Sequence, residues 1–166
     1  MEYFELIKTR KSRRAFRQKP LTGQEVKSIV EAANLAPSAG NLQSYSFYLV
    51  KDKKTKERLA EAAFGQGFIS EAPVAFVFFA RDTVSSKKYG ERGRLYAAID
   101  ASLAAAYAQL AADNLGLGAV WVGAFDEEKV KEILGEGGLP VCILPVGYPN
   151  DNPRKHPRQN RLERVI

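Results

Sequence analysis

Val74-Ala75-Phe76-Val77-Phe78-Phe79-Ala80 is an unbroken apolar run of Val, Phe and Ala. A strand with one wet face alternates apolar and polar residues, whereas a continuous run marks a strand covered on both faces. The fold must therefore supply an apolar layer on each side of it. Toward the N-terminus, Ser46 to Val50 reads as a second strand, and Asp52 caps a helix running to about Ala63 that Gly65-Gln66-Gly67-Phe68 breaks. Thr22-Gly23-Gln24-Glu25 matches a capping box and opens a helix with Val26, Ile29, Val30 and Ala33 on one face, ended by Pro37. A short amphipathic helix over 3–9 begins the chain. Toward the C-terminus, the polar stretch Arg81–Gly93 reads as a loop. The Ala-rich span from about Leu95 to Asn114 predicts a long helix closed by Gly116, apolar around most of its circumference. Such a helix belongs at the centre of the fold or in a subunit interface. Its mid-helix acid, Asp100, then needs a partner. Ala119–Gly123 reads as a short strand, Asp126 caps a helix that Gly135 ends, and Pro140–Val146 reads as the last strand. This irregular alternation predicts an α+β fold, a sheet covered by helices in one domain over 1–166, with an extended C-terminal arm from Asn150.

The net charge of +6 sits at the ends of the 166-residue chain. Residues 1–20 hold seven cations against two acids, and residues 151–166 five against two, so the body between them is slightly acidic. Basic ends suit one anion held by both termini; they also allow nucleic-acid binding, though no aromatic ladder or helix-turn-helix pattern accompanies the charge. Cys142 is the only cysteine and lies in the apolar run Val141–Leu144, which predicts a buried thiol and excludes an intrachain disulfide. A reducing, cytoplasmic setting follows as an expectation. His156 is the only histidine, in a polar tail, so neither a usual zinc site nor a Ser–His–acid triad is expected. The charged start predicts no signal peptide, and no apolar stretch is expected to span a bilayer.

Arg10-Lys11-Ser12-Arg13-Arg14 combines four cations with a hydroxyl. Arg and Lys neutralise a phosphate and Ser donates to it, so the segment reads as an anion site or as a solvated charge run. Side-chain alternation in an extended segment turns Arg13 away and predicts it to be solvated. Ala36-Pro37-Ser38-Ala39-Gly40-Asn41-Leu42-Gln43-Ser44 is a small polar loop whose side chains can serve its own backbone. Gly116-Leu117-Gly118 follows a helix and precedes a strand, the reverse of a dinucleotide-binding fingerprint, and a Walker loop is absent. No acid–base dyad stands out. The inventory suits a phosphorylated, planar, hydrogen-bonding cofactor that carries the chemistry itself.

These stretches, with Gly116-Leu117-Gly118-Ala119-Val120-Trp121-Val122-Gly123 and Pro145-Val146-Gly147-Tyr148-Pro149, together resemble the FMN-dependent nitroreductase family from end to end. The resemblance implies a central, mostly antiparallel (mixed) sheet with helices on it, and an intertwined homodimer with FMN at the interface. It implies that Arg10, Lys11, Ser12 and Arg14 hold the phosphate, ribityl chain and pyrimidine edge, with Arg14 near N1 and O2, where a cation stabilises the reduced ring. Pro37, Ser38 and Ala39, with Asn41 and Gln43 in the same motif, would reach the flavin from the other subunit. Gln66 would meet the pyrimidine edge, and the backbone of Val122, Gly123 and Ala124 would approach N5. Among the tail cations Lys155, Arg158 and Arg161, Arg158 is favoured for the phosphate. Trp121 reads equally as core or as a flavin contact. Also implied is a ping-pong reaction in which NADH or NADPH reduces the flavin, which passes the hydride to a nitroaromatic, quinone, flavin or oxygen. The same fold with dehalogenating or flavin-fragmenting chemistry, and a non-enzymatic basic nucleic-acid-binding domain, are the alternatives. With little room for a helical lid, the pocket is expected to be open.

Overall fold

The computed structural model describes residues 2–159 and 161–164; residues 1, 160, 165 and 166 of the expected 1–166 domain lie outside these. Among the described residues four strands form one sheet: β1 (Tyr45–Val50), β2 (Val74–Ala80), β3 (Gly118–Ala119) and β4 (Leu139–Gly147), in the order β1-β2-β4-β3. Every strand pairing is antiparallel. Among the described residues seven α-helices surround it: α1 (Tyr3–Thr9), α2 (Gly23–Asn34), α3 (Lys53–Ala62), α4 (Phe68–Glu71), α5 (Asp82–Tyr89), α6 (Arg92–Asn114) and α7 (Glu127–Leu134).

All seven residues of β2 are buried, and they divide by alternation. Val74, Phe76 and Phe78 join Ile29 and Ala33 of α2 and Ala104, Ala105, Ala108 and Ala112 of α6 in one core. Ala75, Val77 and Phe79 join Leu59 of α3, Ile69 of α4 and Val130 of α7 in the other. The apolar run is thus a strand with a helical layer on each face, as its composition requires. The capping box on α2 is present, with Thr22 accepting from the Glu25 N–H and Glu25 accepting from the Thr22 N–H. Asp52 and Asp126 cap α3 and α7 as expected, and Gly135 ends α7 in the left-handed region at φ 64°. Cys142 is buried beside Phe78, and burial pushes its thiol well above the ordinary value.

Three expectations are corrected. Arg81–Gly93 is not a loop: it holds α5, whose polar residues face solvent while Ser85 is buried against α6. The close packing depends on Gly93, where an added Cβ would lie 2.4 Å from Ser86 backbone atoms. The strand expected over Ala119–Gly123 is cut to Gly118–Ala119 plus a bridge from Val122 to Ile143. Both pairings share one register, in which Val120 lies opposite Pro145; with no N–H, Pro145 cannot complete the ladder there. Finally, α6 has a mean hydropathy of 1.2 over its most apolar 18 residues, and its 23 residues are long and apolar enough to cross a bilayer. Its packing against β2, β4 and α2 accounts for part of that apolarity, since 39% of that span is buried inside the fold.

Asp100, 1% exposed on α6, has its partner in the loop before β1. Its carboxylate accepts from the N–H of Ala39 at 2.9 Å and of Ser44 at 3.3 Å. Asp100→Ala strands both amides, and the expected loss is about 3 kcal/mol of unfolding free energy. Urea denaturation measures the loss, and faster hydrogen exchange at Ala39 and Ser44 localises it.

Candidate functional site

After α1 the basic segment runs extended between the end of the sheet and the C-terminal tail. Ser12 bridges Ala119 in parallel, and the Arg13 N–H donates to the Ala119 carbonyl at 3.0 Å. On its other side, Arg17 N–H donates to Tyr148 O and Asn150 N–H donates to Ala15 O, both at 2.9 Å. Lys11 Nζ donates to Asn152 Oδ1 at 2.9 Å, and the Arg14 N–H donates to the Asp151 carboxylate at 2.9 Å. The two basic ends therefore meet. Arg10, Lys11, Ser12 and Arg14 form one wall of a cavity of about 290 Å³, and Arg154, Lys155, His156 and Arg158 stand on the other. Among the described residues no carboxylate lines it. Of the three tail cations considered from sequence, Lys155 and Arg158 line this cavity and Arg161 does not.

Arg13 does turn away from that cavity, but it is not solvated. Its Nη1 donates to the Asp151 carbonyl and lies 3.6 Å from the Asp151 carboxylate, and its side chain is only 20% exposed. It crosses Gly118, where a Cβ would lie 2.6 Å from Arg13 Cγ. The tail covers the face that alternation alone would leave to water.

The turn Val122-Gly123-Ala124 is reached from Ser12 through Ala119, three residues from Val122, or at most about 10 Å. Gln66 joins it directly: its Nε2 donates to the carbonyls of Ala124 at 3.2 Å and Ala63 at 3.0 Å. Its side-chain oxygen is then the atom offered to a further partner. Trp121 is half-buried against the α2–α6 core, with its indole beside Gly123.

The Pro37–Gln43 loop does not reach this cluster within one chain. Ala39–Asn41 forms a single 3₁₀ turn, with Gly40, Asn41 and Gln43 at φ 56°, 56° and 50°. Ser38 Oγ accepts from the Gln43 N–H, and Gln43 Nε2 donates to Asn41, so these side chains close the loop itself. Asp100 pins the loop, whereas the basic segment lies by Asp113, thirteen residues further along α6, or about 20 Å.

Asp113 escapes a reading of the sequence, although an acid in the last turn of a helix opposes the helix dipole and so carries a signal. Its Oδ2 is buried without a hydrogen-bond partner. Burial pushes its carboxyl up to about 7, against the pull of Arg10 and Arg13. A larger cavity, about 780 Å³, lies between residues 18–21, the start of α3 and the end of α4, and contains none of the expected site residues. Its buried Lys56 is occupied by the carbonyls of Ala72 and Pro73.

The sequence model of the Nitroreductase family matches residues 7–80 and 63–148, most of the chain. The chain belongs to the nitroreductase family. This nitroreductase-family chain is 33% identical over 157 residues to a provisionally named NADH dehydrogenase/NAD(P)H nitroreductase of Archaeoglobus fulgidus, covering 90% of this chain and 87% of that one. It is 35% identical over 165 residues to an NADPH-dependent oxidoreductase of Staphylococcus aureus, covering 90% of this chain but only 65% of that protein. Among solved structures, the NADPH:FMN oxidoreductase from Vibrio harveyi complexed with NAD+ superposes with a TM-score of 0.87 at 27% identity, over 95% of this chain and 73% of that one. The nitroreductase fold and an NAD(P)H oxidoreductase lineage are thereby established.

Asp113 makes the stability of this nitroreductase-family protein depend on pH. Its folded value, about 7, lies above the ordinary 3.8, so the folded state binds the proton more tightly and stability falls as pH rises between these values. The stability gained by Asp113→Asn over the wild type should therefore grow from about pH 4 and level off above about pH 7. Thermal melts of both proteins across that range measure it.

Proposed function

We propose that this nitroreductase-family protein is an FMN-dependent oxidoreductase that carries reducing equivalents from NADH or NADPH to a small-molecule acceptor in a ping-pong exchange. The acceptor classes are nitroaromatics, quinones, free flavins and oxygen. The observation that carries the reading is the acid-free basic cavity joined through the Ser12–Ala119 bridge to the Val122–Ala124 turn. A cavity walled by cations from both basic segments, with no carboxylate among the described residues lining it, fits a phosphate. The adjoining turn of small residues fits the edge of a planar ring. FMN, when bound, would supply the hydride chemistry.

This chain's residues would do the rest. Arg10, Lys11 and Ser12, with Lys155 and Arg158 opposite, would neutralise the phosphate and orient the ribityl chain. Arg14 would lie by the pyrimidine edge and favour the anionic reduced ring. Gln66, held by Ala63 and Ala124, would present its oxygen to that edge. The backbone of Val122, Gly123 and Ala124 would approach the ring centre. Pro37, Ser38, Ala39, Asn41 and Gln43 would serve the site of a second subunit, since within one chain they stand about 20 Å along α6 from the cavity. A homodimer is supported by α6 itself. Leu95, Ile99 and Tyr107 are 51%, 43% and 40% exposed at spacings of four and eight, a stripe suited to a second copy.

The test is an absorbance spectrum of the purified protein with its flavin stoichiometry. One FMN per chain is expected, and a colourless protein that takes up no added FMN overturns the proposal. Arg14→Ala should weaken FMN retention about tenfold and lower the rate of NADPH oxidation with a quinone. FMN titration and steady-state kinetics of the variant measure both.

A further inference from the structure

Helix α5 ends on the Pro37–Gln43 loop. Gly40, at φ 56°, lies directly under two side-chain tips: an added Cβ would lie 2.3 Å from Tyr89 Oη and 2.8 Å from Lys88 Nζ. The tips of Lys88 and Tyr89 are therefore seated on the loop, over a glycine whose positive φ disfavours a side chain. The Tyr89 and Tyr96 rings meet edge to face, 5.0 Å apart at 88°. Arg92 Nε donates to Tyr96 Oη at 3.0 Å, with its guanidinium 5.3 Å from that ring, and Lys88 Nζ lies 5.4 Å from the Tyr89 ring. Both cations are exposed, and both rings are half-buried. Among the described residues neither Lys88 nor Arg92 forms an ion pair, although neighbouring Arg94 pairs with Asp82.

Two uncompensated cations beside two ordered aromatic rings have the chemistry of a site for a planar base that carries phosphate. The cations supply charge-assisted bonds to phosphate oxygens, and the rings supply flat apolar area. We propose that Lys88, Tyr89, Arg92 and Tyr96 form the docking patch for the phosphate-bearing part of the nicotinamide donor. The proposal rests on the reading above, in which the loop of one subunit borders the flavin of the other. In that arrangement the patch rides with the loop to the rim of the open cofactor face. It gives the protein a donor-reading element where no ribose-reading motif exists in the sequence.

The test compares the full-length, FMN-loaded wild type with the Lys88→Ala/Arg92→Ala double variant, using a quinone acceptor. The expected result is a KM for NADPH at least about tenfold higher, kcat within about twofold, and unchanged flavin absorbance. Added salt should raise the wild-type KM and leave that of the variant nearly constant. The charge-conserving pair Lys88→Arg/Arg92→Lys should recover most of the loss. An unchanged KM for both NADPH and NADH, with FMN in place, overturns the proposal. A wild type that holds no FMN signals failure of the flavin reading instead, and the patch is then tested by calorimetric titration of the flavin-free chain with 2′,5′-ADP. Saturable binding that the double variant loses upholds the patch, and no saturable binding to the wild type overturns it.

Discussion

A strand buried on both faces has to be covered twice, and that constraint sets the rest of this molecule. β2 gives Val74, Phe76 and Phe78 to one layer and Ala75, Val77 and Phe79 to the other. Neither layer can be omitted without exposing about half of an all-apolar strand. On the first face the cover is α6, lined with alanines where it meets β2 and β4. Small residues let helix and sheet approach closely, so α6 sits deep in the fold and acts as its ruler. One mark on the ruler is Asp100, which holds the loop before β1; another is Asp113, beside the basic segment. Whatever the loop and the basic segment do, they do at a separation that this helix sets.

The cavity between the chain ends is held together against its own charge. Arg10, Lys11, Arg14, Arg154, Lys155 and Arg158 crowd one small volume, where like charges repel. What offsets that repulsion is mostly backbone pairing, through Ala119, Tyr148 and Asn150, with Asp151 placed behind the wall on Arg13 and the Arg14 N–H. Partly exposed ion pairs contribute at most about 1 kcal/mol each. Arg13–Asp151 therefore serves chiefly to fix the tail's path, with the other cations lining the cavity in front.

Elements whose signal is local were legible in the sequence. The β2 run, the Thr22–Glu25 box, the Asp52 and Asp126 caps and the Gly135 stop each write their structure in neighbouring residues. Where the deciding partner is distant, the reading failed. α5 is polar apart from Val84 and Tyr89 and has no apolar stripe, so only its packing on Gly93 reveals it as a helix. The shortening of β3 is decided by Pro145, far away in sequence but opposite Val120 in the sheet. Arg13 looked solvated because nothing near it says that Asp151 will lie across it. Of the expected site residues, Arg10, Lys11, Ser12, Arg14 and Arg158 share one cavity, and Gln66 meets Ala124. The Pro37–Gln43 set stands apart from them in a single chain. Asp113 went unnoticed because its perturbation comes from burial, which no local pattern records.

The meeting of the two chain ends also makes the protein a closed ring held by non-covalent contacts. Lys11 and Asn152 touch across 141 positions of sequence, so nearly the whole polypeptide lies within one loop. An anion seated between the N-terminal and tail cations would be a reversible cross-link across that loop, absent from the unfolded chain. Its contribution to stability rises with its concentration, by about 2.7 kcal/mol at a hundred times its dissociation constant.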